Sequence, residues 1–154
     1  MFLFDFDGVI VDSLREAALN AYGCVTDQHC YDLTETPSGY WELFRRNRFL
    51  LQPAGDFLPF ASWCIENGSK DPTRQLSYQE LRQIVEQTTV PYKERTARFF
   101  ANRTKFFEHN PERWFALNST MEPICTYLRE HPEIPLILLT NKNKVAVGQL
   151  CSHF

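Results

Sequence analysis

The chain has 154 residues, 44% hydrophobic and 23% charged, with a mean hydropathy of −0.36, a balance that excludes disordered, collagen-like and membrane-embedded classes. A net charge of −3 supplies no general field for a polyanion, so nucleic acid is not an expected partner and any phosphate recognition must be local. Five scattered cysteines without a C-x-x-C pair, and an apolar N-terminal run interrupted at once by Asp5 and Asp7, lead us to expect a cytoplasmic chain with reduced thiols and no membrane contact.

Met1 to Phe6 reads as a short strand, apolar on both faces as in a buried parallel sheet, running into the turn signal Asp7-Gly8. A helix is expected from Leu14 to about Tyr22, capped by Asp12 or Ser13 and ended by Gly23. To about Leu117 there is no β pattern. Helical stretches are expected at Gly39 to Leu51, Asp56 to Glu66, Tyr78 to Gln87 and Lys93 to His109, with breaks at Pro37, Gln52 to Gly55, Gly68 to Pro72 and Pro91. In the last of these, Phe99, Phe100, Phe106 and Phe107 recur near helical spacing with Arg and Lys between them, which predicts one buried and one wet face. Met121 to His131 then reads as a helix, Pro135 to Thr140 as a second apolar strand, and Asn143 onward as a last helix.

A strand's period of two puts Asp5 and Asp7 on one face, with Cα atoms roughly 6–7 Å apart, at the end of the first strand. Ligands of open α/β sheets bind beyond the carboxyl ends of the strands. Gly8 lets the chain turn tightly beside the pair. Paired carboxylates can hold a hard divalent cation through oxygen, or divide the work of nucleophile and general acid/base. A bare D-x-D-G also ends a strand and solvates a turn, so the longer context decides between these.

The string Asp5-Phe6-Asp7-Gly8-Val9-Ile10-Val11-Asp12-Ser13, after an apolar strand, resembles the first motif of the haloacid dehalogenase-like superfamily of phosphohydrolases. Leu136-Ile137-Leu138-Leu139-Thr140-Asn141 is similar to its second motif. The resemblance implies an α/β fold: a partial Rossmann-like parallel core of residues 1–14 and 117–154, with an all-helical cap over residues 15–116. It implies Asp5 as nucleophile, and Asp7 as the acid that protonates the leaving group and then activates water. Mg²⁺ would be held by Asp5 and by the Asp7 carbonyl, and the phosphoryl group by Thr140 and Asn141 beside Gly8. An acid at Asp7 favours phosphate over halide leaving groups, so the implied partner is a small phosphorylated metabolite.

Only fourteen residues follow Thr140, and none is Asp or Glu. The superfamily's later Lys and acidic metal ligands therefore have no counterpart, and a truncated chain of weak or no activity is expected. Two strands would also leave sheet edges open to self-association. The alternative is a non-catalytic scaffold that binds a partner. Lys142 and Lys144 are expected on the solvated first turn of the last helix, Arg45, Arg46 and Arg48 on a solvated face, and the four histidines are expected to be incidental.

Overall fold

A computed structural model of the chain describes residues 2–51 and 53–154; the strand expectation at Met1 and the break expectation at Gln52 fall outside them. The described residues are mostly helical with a small parallel sheet, and they divide into two compact units, 1–16 with 112–154 and 17–111.

In the first unit, β1 (Phe2–Asp5) pairs parallel with β4 (Leu136–Leu139), Phe2 opposite Leu136 and Asp5 opposite Leu139. Two-residue strands that the sequence reading missed, β2 (Val11–Asp12) and β3 (Ser119–Thr120), pair antiparallel. The expectation that β1 is buried on both faces is corrected: Leu3 is exposed, as are Leu136, Ile137 and Leu139 of β4. The faces of a sheet are buried by helices laid across them, and two four-residue strands offer such a layer little surface.

The helix α1 (Leu14–Thr26) starts where Asp12 accepts a hydrogen bond from the Leu14 amide. It does not end at Gly23. A Cβ there would lie 2.8 Å from the Gln28 carbonyl oxygen, so this glycine serves close packing, and the helix instead ends before Asp27, which adopts a left-handed φ of 57°. The second unit continues with α2 (Tyr40–Asn47), α3 (Phe57–Asn67), α4 (Tyr78–Glu86) and α5 (Tyr92–His109). Short 3₁₀ turns at Leu33–Glu35, Arg48–Leu50 and Ala54–Asp56 lie between them. Its core is aromatic: Phe44 packs on Phe60 with ring centres 5.3 Å apart, and Phe57 on Phe99 at 4.9 Å. Each such ring, buried, contributes about 2–3 kcal/mol. Tyr40 and Tyr31 are buried too, their hydroxyls donating to the carbonyls of Ala18 and Phe106.

The expected division of α5 into a buried and a wet face is present, with Phe99 and Phe106 on the buried side, but that side is not purely apolar, because Arg95 and Arg103 share it at helical spacing. The Arg103 guanidinium lies 4.8 Å over the Phe99 ring, so its apolar stem and planar head pack as an aromatic would. Of the basic cluster on α2, Arg45 and Arg46 are exposed, whereas Asn47 between them and Arg48 is buried and bonds the Leu43 and Arg74 carbonyls and the Leu76 amide. The helices α6 (Pro111–Ala116), which was not anticipated, α7 (Glu122–Glu130) and α8 (Lys144–His153) complete the chain. Among the described residues all five cysteines are free thiols, and no helix is long and apolar enough to cross a membrane.

Candidate active site

Parallel pairing in register brings the carboxyl ends of β1 and β4 side by side, since Asp5 is opposite Leu139. The segments leaving those ends, Phe6-Asp7-Gly8 and Thr140-Asn141-Lys142, are therefore neighbours. Asp5 is exposed, and its Oδ1 accepts the Phe6 amide at 2.7 Å, which fixes the side chain while leaving the other oxygen clear of that bond. Phe6 is fully buried and anchors the turn. The Phe6 carbonyl accepts both the Ile10 and the Val11 amides, and the Gly8 amide donates to the Val11 carbonyl. Gly8 has φ +80° with nothing within 4 Å of the position a Cβ would take, so conformation, not space, requires glycine there.

Asp7 is half-buried. Its Oδ1 accepts the Ser13 hydroxyl and, at 2.9 Å, the Lys142 ammonium. The expectation for Lys142 is thus corrected: its side chain is 1% exposed, and its Nζ also lies 3.7 Å from Oε2 of the fully buried Glu16. Position alone explains the misreading, because Lys142 precedes α8 in the turn that crosses toward β1, while Lys144 on the helix is exposed as expected. Glu16 and Ser13 were missed as site residues. The signal lay in α1, where Ser13, Glu16 and Asn20 repeat at helical spacing among the apolar residues that face inward.

Thr140 and Asn141 are exposed. The Thr140 hydroxyl accepts the Lys142 amide at 3.0 Å, a bond that leaves its own hydrogen available to donate. Asn141 makes no side-chain hydrogen bond among the described residues. Asn143, two residues on, caps α8 by accepting the Val145 amide.

Asp7 and Glu16 flank the Lys142 ammonium, and Asp5 adds a further carboxylate two residues before Asp7. Carboxylates at this end of the sheet favour a cation beside any anionic phosphate that approaches it. The donor set suits a hard one: a carboxylate at Asp5 and main-chain oxygen at Asp7. Among the described residues no group of three His, Cys, Asp or Glu gathers as a metal cage. Mg²⁺ often rests on one or two protein oxygens and completes its shell with water and substrate oxygen, so Asp5 and the Asp7 carbonyl fit it as a partial site. No protein-family model, curated protein or solved structure matches the chain.

Proposed function

We propose that the chain is a haloacid dehalogenase-like phosphohydrolase that hydrolyses a small phosphomonoester through Asp5, on a Rossmann-like core with residues 17–111 as its cap. One observation carries this reading: the parallel register of β1 and β4 juxtaposes Asp5-Phe6-Asp7 with Thr140-Asn141-Lys142, and the Lys142–Asp7 ion pair ties the two segments.

In this reading the outer oxygen of Asp5 attacks phosphorus, forming an aspartyl-phosphate as the P–O bond to the leaving alcohol breaks. Asp7, entering the step with a proton on Oδ2 while its Oδ1 accepts Ser13 and Lys142, donates that proton to the alcohol, then takes one from the water that hydrolyses the acyl phosphate. Lys142 and Ser13 hold the Asp7 carboxyl in one orientation, which is the positioning that such a proton transfer needs. Thr140 donates to the phosphoryl oxygens beside the Asn141 amide. Mg²⁺, held by Asp5 and the Asp7 carbonyl, would neutralise charge on the transferring group. With two protein oxygens for the ion, turnover by this chain is slow. A cytoplasmic location agrees with its free thiols.

The test is Mg²⁺-dependent hydrolysis of an aryl phosphate by the purified chain, with Asp5→Asn as control. Activity lost in the variant supports the reading; equal activity in both overturns it. The exposed apolar residues Leu3, Leu136, Ile137 and Leu139 favour a second reading, a non-catalytic scaffold that associates with itself or a partner through this sheet. A monomer by light scattering at millimolar concentration would remove the self-association.

A further inference from the structure

Two of the four histidines, far apart in the chain, come together in the helical unit of residues 17–111. His29 lies in the loop after α1, and His109 is the last residue of α5. Their ring centres are 5.8 Å apart with planes 24° from parallel, and both residues are exposed. Among the described residues no hydrogen bond or ion pair engages either imidazole.

The loop that carries His29 is fastened on both sides of it. Before it, Asp27 pairs with Arg98 of α5 at 3.4 Å, and Gly23 of α1 packs under the Gln28 carbonyl. After it, Tyr31 stacks on Phe106 of α5 with ring centres 4.4 Å apart and donates its hydroxyl to the Phe106 carbonyl at 2.7 Å. Tyr31 and Phe106 are buried, so these contacts hold the His29 backbone against the last turn of α5. Both histidine rings border that pair, His29 at 6.1 Å from Phe106 and His109 at 6.2 Å from Tyr31.

Such a pair of nitrogen donors suits a borderline divalent ion. Two imidazoles bound to one Zn²⁺ at about 2.0–2.1 Å place their ring centres roughly 4.5–6.4 Å apart, depending on the angle at the metal, and 5.8 Å falls within that span. Rotation about χ2, a broad torsion, turns the ring edges toward one point without backbone movement. The pair also stands at the carboxyl end of an 18-residue helix, where unpaired carbonyls leave partial negative charge that favours a cation. The adjacent Cys30 is buried and burial pushes its thiol up, so the exposed donors are the two ring nitrogens.

We propose that His29 and His109 together bind one divalent transition-metal ion of the Zn²⁺ class, through one nitrogen each, with water in the remaining positions. The ion clasps residues 27–31 to the end of α5. The site takes nitrogen ligands where the Asp5 site takes oxygen, and it is independent of the chemistry proposed for Asp5.

The experiment is calorimetric titration of the full, reduced chain with Zn²⁺ in excess Mg²⁺, which occupies oxygen sites, repeated on His29→Gln, His109→Gln, His153→Gln and Cys151→Ser. Zn²⁺ is expected to bind the unaltered chain. His29→Gln and His109→Gln should each weaken it at least tenfold, because either change breaks the chelate. His153→Gln and Cys151→Ser should leave it unchanged. In proton spectra the ring resonances of His29 and His109 should shift together on addition of Zn²⁺, with those of His131 and His153 unmoved. Absence of Zn²⁺ binding, an affinity unchanged in His29→Gln or in His109→Gln, or a loss confined to His153→Gln or Cys151→Ser, the mark of an adventitious ion only, would each overturn the proposal. If a histidine variant does not fold, the ring resonances of the unaltered chain still decide it.

Discussion

Replacing Lys142 by Met removes a buried cation that faces both Asp7 and Glu16 and keeps most of the side-chain volume. The two partners are affected unequally. Asp7 is a third exposed and regains water, so its share is that of a surface pair, below about 1 kcal/mol. Glu16 is fully buried, and taking a cation away from a buried charge costs up to about 3–5 kcal/mol. Its 3.7 Å separation from Nζ puts the value at the lower end, giving a total of about 3 kcal/mol, or roughly 6–12 °C in Tm for a chain of this size. Urea unfolding can be followed on the buried Trp114, with Trp41 and Trp63 replaced by Phe so that fluorescence reports on residues 1–16 and 112–154. Glu16→Gln in the Lys142→Met background removes the charge that Lys142 offset, so the double variant should recover about 2 kcal/mol relative to additivity. A Lys142→Met chain within about 0.5 kcal/mol of the parent, or strict additivity in the cycle, would refute the role given to this buried cation.

Three further outcomes are expected. Gly39 has φ +75°, and a Cβ there would lie 2.0 Å from the Gly68 carbonyl oxygen, so Gly39→Ala should lower stability by about 3 kcal/mol in a thermal melt. Gly8→Ala meets only the backbone cost of its φ, about 1–2 kcal/mol, and should affect turnover more than folding if the turn holds Asp7 in place. The Ser77 amide and hydroxyl, with Arg74, hold the Glu80 carboxyl down from 4.5 to about 2. A depressed carboxylate stabilises the folded state above its unfolded value and loses that contribution as pH falls, so helicity at α4 should decline between about pH 4.5 and 2. Ser77→Ala should flatten that decline, as read by hydrogen exchange at α4; an unchanged profile would contradict the capping box as its cause.

Elements whose residues carry local signals were legible. Apolar runs marked β1 and β4, and capping and proline breaks marked α2 to α5 within a few residues. The exposure of Leu3 and Leu139 was not, because whether an apolar strand is covered depends on what packs on the sheet's faces, which the strand's own residues do not encode. The buried arginines of α5 escaped for a related reason: a long side chain can lie on an inward face with its head on a ring, which an apolar period does not register. At the site, Asp7 and Gly8 follow from the turn itself. Lys142 joins them only through a pairing that spans most of the chain, and no local pattern encodes that contact.

Acid-quenched peptide mass spectrometry of the chain during hydrolysis of an aryl phosphate with Mg²⁺ tests the proposed covalent phosphoryl transfer to Asp5. The expected result is a phosphoryl adduct confined to the peptide containing Asp5, sensitive to hydroxylamine, absent from Asp5→Asn and more abundant in Asp7→Asn, where hydrolysis of the intermediate lacks its base. Turnover with no adduct in either Asp7→Asn or the parent, or an adduct that persists in Asp5→Asn, would contradict it.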